Sequence, residues 1–91
     1  MKKFQNFEYD ELLAHIQTTQ INNDGWEVST ELANYFDEKG NEHQLFNVLL
    51  YNDEIGHVEE SLMRKSKKEA DEAHLNLVRL APQLIEEFNS K

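Results

Sequence analysis

The residues of this chain best suited to chemistry are a short basic run, Arg64-Lys65-Ser66-Lys67-Lys68, and four histidines, His15, His43, His57 and His74. Lysines at the start of a helix suit phosphate, because the dipole and free N–H groups add to their charge. The histidines fall on elements of different type and assemble no facing set of metal ligands. Asp71 and His74 make only a weak carboxylate–histidine pair. The chain has no cysteine, which excludes disulfides and thiolate sites. Asp10-Glu11, Asp53-Glu54 and Glu59-Glu60 are adjacent carboxylates of the ordinary solvated kind. No glycine-rich phosphate loop and no nucleophile with a partner accompany them. The expectation is a protein that is not an enzyme, with no cofactor, no metal and no small-molecule substrate.

Charge divides the chain. Residues 4–63 hold thirteen acidic side chains against one basic one, Lys39, whereas residues 64–91 hold six basic and five acidic ones. The total is −9. Most of the molecule repels polyanions, and only the basic run attracts them. Ninety-one residues and 38% hydrophobic content suffice for one small domain. The basic start, Met1-Lys2-Lys3, is followed by no apolar stretch of the signal-peptide kind. No segment nears the roughly 18 apolar residues of a membrane span. A cytoplasmic location and no membrane partner are expected.

Several elements must position these side chains. Tyr9, Leu12, Leu13 and Ile16 recur at helical spacing, with Asn6 as a cap and Glu8, Asp10 and Glu11 in the first turn. Asn22-Asn23-Asp24-Gly25 ends that segment. From Trp26 to Phe36 the period becomes two, with Trp26, Val28, Leu32 and Phe36 on one face and Glu27, Ser29, Glu31 and Tyr35 on the other. Gly40 serves a hairpin loop, and residues 44–51, apolar on both faces, read as a central strand. Residues 55–63 offer a third strand, although residues 59–63 also fit the opening of a helix. Ser66 and Glu69 form a capping box. The helix that follows has a stripe of Ala70, Ala73, Leu77, Leu80 and Ala81, interrupted at Pro82.

Gly40-Asn41-Glu42-His43, Phe46 and Ser66-Lys67-Lys68-Glu69-Ala70 together resemble the double-stranded-RNA-binding domain, most closely over residues 40–80. That family has a Gly-Pro-x-His loop between its first two strands and a Lys-Lys-x-Ala-Lys segment opening its last helix. Asn41 stands at the loop proline here and Asp71 at the third lysine. The resemblance implies an α+β fold of order α-β-β-β-α, a three-stranded antiparallel sheet with two helices on one face. It implies a single domain over residues 1–91, with a core of about residues 7–81 and a helical extension at 82–91. By the same resemblance Arg64, Lys65, Lys67 and Lys68 would grip phosphates. His43 and His15 would enter minor grooves, where 2′-hydroxyls mark RNA.

The expected function is a stand-alone module binding double-stranded RNA. Two further readings stand beside it. One keeps the scaffold as a protein-interaction module, with a protein partner or a homodimer. The other is an acidic mimic of nucleic acid that inhibits a nucleic-acid enzyme through the field of residues 4–63.

Overall fold

The structure, a computed structural model, describes residues 7–91. Its elements are β1 (Glu8–Gln20), β2 (Trp26–Phe36), β3 (Glu42–Asn52), β4 (His57–Arg64) and α1 (Lys67–Asn89). The strands form one antiparallel sheet in sequence order, β1-β2-β3-β4, so each connection is a hairpin. This overturns the expected α-β-β-β-α order. The segment expected to be a first helix is an edge strand, the sheet has four strands instead of three, and one helix follows it. Asn6, the expected cap of that helix, and the basic start lie outside the described residues.

The physical reason lies in how β1 pairs. Its register against β2 shifts between Tyr9 and Glu11, between Leu12 and Ala14, and between His15 and Gln17. Asp10, Leu13 and Ile16 are therefore extra residues, each inserted as a bulge. A bulge at every third residue turns the two-residue period of a strand into a three-residue one. Tyr9, Leu12 and His15 then share one face, opposite Tyr35, Ala33 and Glu31. Such spacing imitates a helix. Thr18 and Thr19 favour the extended form, and pairing satisfies the edge that β2 would otherwise expose.

β2 and β3 pair without a break from Trp26↔Asn52 to Phe36↔Glu42. Alternation along them sets Trp26, Val28, Val48 and Leu50 toward α1, where they meet Ala70, Ala73, Leu77, Ala81 and Ile85. The alanines let the helix approach the sheet closely. Ser66 caps α1: its Oγ accepts from the Glu69 N–H and donates to Glu69 Oε1, both at 3.1 Å. Glu69 thus reaches back to the hydroxyl of the cap. α1 runs on through Pro82 to Asn89. Leu80, expected on the buried stripe, is 52% exposed, and His74 is buried in its place. At the far end of the helix Phe88 stacks on His57 (4.5 Å) and meets Trp26 edge-on (5.4 Å).

His74 is the polar pin of this core. One ring nitrogen lies 2.8 Å from Thr19 Oγ1 on β1 and the other 2.8 Å from Thr30 Oγ1 on β2. Two rotatable hydroxyls satisfy a neutral imidazole, one accepting its N–H and one donating to its bare nitrogen. At the turn end of the sheet Asn52 does similar work. Its Nδ2 donates to the Asp24 carbonyl, and its Oδ1 accepts from the N–H groups of Glu54 and Ile55. Gly25 sits against this knot at φ +95°.

Two outcomes follow from these contacts. A Cβ on Gly25 would lie 2.8 Å from Asn52 Oδ1 and from Glu54 Cγ, in a backbone region that strains L residues. Gly25→Ala is expected to lower the urea-unfolding free energy by about 1–3 kcal/mol. Burial pushes the His74 pKa below 6.5, with Asp71 opposing. The unfolded chain therefore binds a proton that the folded chain refuses, and stability drops as pH falls from 6.5 toward the folded pKa. NMR titration should find the His74 ring still neutral at a pH where a free histidine is half protonated.

Candidate interaction surface

α1 lies over β2, β3 and β4, and among the described residues no second element packs on the other, uncovered face of the sheet. The same alternation that sends Trp26, Val28 and Thr30 to the helix sends Glu27, Ser29, Glu31, Ala33 and Tyr35 to this second face. β3 contributes Leu45, Asn47, Leu49 and Tyr51 to it, and β1 contributes Tyr9, Leu12, His15 and Thr18.

The lower part of this face has an apolar floor. Ala33, Tyr35 and Leu45 are buried, with Phe7 and Met63 packed over them. Tyr9 meets Tyr35 edge-on at 5.8 Å. Above this floor the face is mostly polar, with Leu49 among hydrogen-bonded side chains. The Tyr51 hydroxyl donates to Glu27 Oε2 at 3.2 Å, and His15 Nδ1 lies 3.4 Å from Glu31 Oε2. Thr18 and Ser29 hydroxyls pair at 3.1 Å, and the Ser61 hydroxyl donates to Asn47 Oδ1. Burial, together with Glu31 for Tyr35 and Glu27 for Tyr51, raises both phenol pKa values above 10. Their hydroxyls stay protonated and able to donate at neutral pH. Glu27 and Glu31 stand on this face, and the strand residues that form it include no Lys or Arg.

The side chains singled out from the sequence are distributed around the molecule. His15 and His43 lie on the uncovered face, opposite the side on which α1 packs. His43 is held locally: its Nε2 is 2.8 Å from Asp37 Oδ2, and its ring meets Phe7 edge-on. Asp37 also accepts from the N–H groups of Lys39 and Asn41. These bonds, the His43 one first, draw its carboxyl down to about 2. Arg64 ends β4 and donates to the Met63 carbonyl, and Lys67 pairs with Asp71 at 2.9 Å. Lys65 and Lys68 are exposed beside the Ser66 cap. The structure thus gathers Arg64, Lys65, Lys67 and Lys68 at one end of α1 and sets both histidines elsewhere.

No protein-family model matches the chain, and comparison with curated proteins and with solved structures finds no match either. Among the described residues no helix is long and apolar enough to cross a membrane, and no three His, Asp or Glu side chains are grouped to hold a metal ion.

Glu27, Glu31 and Tyr51 were not among the side chains first singled out. Their signal was nonetheless present: the alternation of β2 had already set Glu27, Glu31 and Tyr35 on one face. Asp37 left a weaker signal, an acidic residue two before a backbone donor in a turn. Asp37→Ala should speed hydrogen exchange at Lys39 and Asn41, whose N–H groups lose their acceptor, while exchange in the Trp26–Val28 segment is unchanged.

Proposed function

We propose that this chain is a protein-interaction module that sets the uncovered face of its sheet against a basic surface of a partner protein. A nucleic-acid-handling enzyme offers such a surface where it grips phosphates. The observation that carries the reading is the make-up of the accessible part of that face: Tyr9 and Tyr51, small polar residues and two positioned carboxylates beside Leu12 and Leu49, without a strand Lys or Arg. Tyrosine gives large contact area at low entropic cost, and small polar residues add adaptable hydrogen bonds. Glu27 and Glu31 are steadied by Tyr51 and His15, so less conformational freedom is lost on binding. The acidic balance of the strands supplies a field that draws a cationic partner.

A second reading, binding of duplex RNA, is favoured by one feature. Arg64, Lys65, Lys67 and Lys68 cluster around a capped helix start, which suits phosphate. The two readings differ in the sign of the charge recognised, so one titration separates them. Labelled chain is followed by NMR against an arginine-rich peptide and against an RNA duplex of roughly 20 base pairs. The proposed function predicts peptide-induced shifts over the uncovered face at Glu27–Tyr35 and Asn47–Tyr51. Binding should weaken with salt and fall at least about tenfold in Glu27→Lys/Glu31→Lys. Duplex binding that is lost in Lys67→Glu/Lys68→Glu, with no response on that face, would replace it with the RNA reading.

A further inference from the structure

The two edges of the sheet are finished differently. β1 is broken by its three bulges, which disturb the row of outward N–H and C=O groups another strand would need. β4 has a straight stretch instead: Glu60, Ser61, Leu62, Met63 and Arg64 pair with Leu50 back to Phe46 without a break. In an antiparallel ladder alternate residues turn their backbone groups toward the neighbouring strand and away from it. Ser61 and Met63 belong to the outward set. The Ser61 N–H donates to Glu60 Oε1 at 3.1 Å, and the Met63 carbonyl accepts from Arg64 Nη1 at 2.7 Å.

Those two side chains stand in for a missing strand. The Glu60 carboxylate sits where a neighbouring carbonyl would accept, and the Arg64 guanidinium where a neighbouring N–H would donate. The arrangement is symmetric about Leu62, and that symmetry identifies the occupant. If a second β4 approaches antiparallel across a twofold axis at Leu62, Ser61 comes opposite Met63 of the second copy. Those residues can exchange both N–H···O bonds, on each side of the axis. In the same register Glu60 comes opposite Arg64 of the second copy, so carboxylate and guanidinium exchange an own-chain bond for a cross-chain ion pair.

We propose that this chain forms a twofold dimer through β4, which joins its sheet to that of a second copy. The contact is isologous, as closed dimers require. One exposed apolar side chain flanks it on the helix side: Leu80 on α1 is 52% exposed. Glu69, Ala73 and Asn76 line a cavity of about 190 Å³ with Arg64, so this flank of α1 borders the β4 edge. Leu80 continues that stripe one turn on. A single strand addition buries less than the roughly 1,200 Å² of a standard interface, so the dimer is weak and concentration-dependent. The inference rests on β4 and α1 and not on the uncovered face.

Sedimentation of the full chain up to about 1 mM tests it. The expected result is a monomer–dimer equilibrium whose dissociation constant rises at least about tenfold in Glu60→Arg and in Arg64→Glu. The double variant Glu60→Arg/Arg64→Glu should regain the dimer, because the cross-chain pair is restored with its signs exchanged. Ser61→Pro should abolish association while circular dichroism stays native, since the lost N–H points away from β3. A monomer at every concentration would overturn the proposal, as would a dimer that the double variant fails to restore. Association seen only in Glu60→Ala/Arg64→Ala would also overturn it, marking the two side chains as guards against pairing.

Discussion

A helix with its side chains is about 10 Å across, while strands in a sheet lie about 4.8 Å apart. One helix therefore spans roughly two strands, and this fold has one helix for four strands. α1 takes β2, β3 and β4, and β1 is tied to it chiefly by the hydrogen bond between His74 and Thr19. The rest of the design answers that shortage of cover. The helix side holds most of the apolar core, while the other face closes its own smaller cluster with Phe7, Tyr35, Leu45 and Met63. Above that cluster the surface is mostly polar and cross-linked by hydroxyl and carboxylate bonds. A face that cannot be covered must be soluble in its own right, and such a face is also free to receive something else.

The same shortage explains which parts of the fold were legible. β2 and β3 are paired on both sides; β2 obeys a two-residue period and was legible to the residue, while β3, apolar on both faces, was legible to within two residues of its ends. α1 was legible from the Ser66–Glu69 box. β1 was not legible, because its side chains answer to bulges. With Asp10, Leu13 and Ile16 inserted, the spacing of Tyr9, Leu12 and His15 is close to that of a helical face, and only Thr18 and Thr19 at its end speak for a strand. Only the tertiary demand of β2 for a neighbour decides the matter, and that demand is invisible within a window of ten residues. His74 was missed for a related reason. A histidine on an otherwise apolar stripe reads as exposed unless the two threonines that satisfy it are known to face it.

The candidate surface was half legible. Alternation on β2 separated Glu27 and Glu31 from Val28 in advance, but could not say that nothing packs upon them. That follows from the count of helices, which the misread first segment had inflated. With two helices the polar side of the sheet is one feature among several. With one helix it becomes the largest part of the molecule left without a covering element. His15 moved with this correction, from a helix to the uncovered face beside Glu31. The basic run stayed where it was expected, at the start of α1, and the regrouping left it without the two histidines.

The last turns of α1 carry the charge argument one step further. A helix C-terminus is a site of negative potential, which Lys or Arg in the last turn would offset. Here the last turn holds Glu86 and Glu87 and no basic residue, and Lys91 follows only beyond the helix end. Phe88 brings this end of the helix to Trp26 and His57, the first residues of β2 and β4. The turns just before those residues contain Asp24, Asp53 and Glu54. The acidic turns and the negative end of the helix dipole therefore share one end of the molecule, and Arg64 to Lys68 lie at the other, which also holds Asp37, Glu38 and Glu42. Folding gains nothing from bringing like charges together, and local repulsion opposes it. The arrangement makes physical sense where a long-range field is itself useful, as it is for a chain that must orient before a cationic surface.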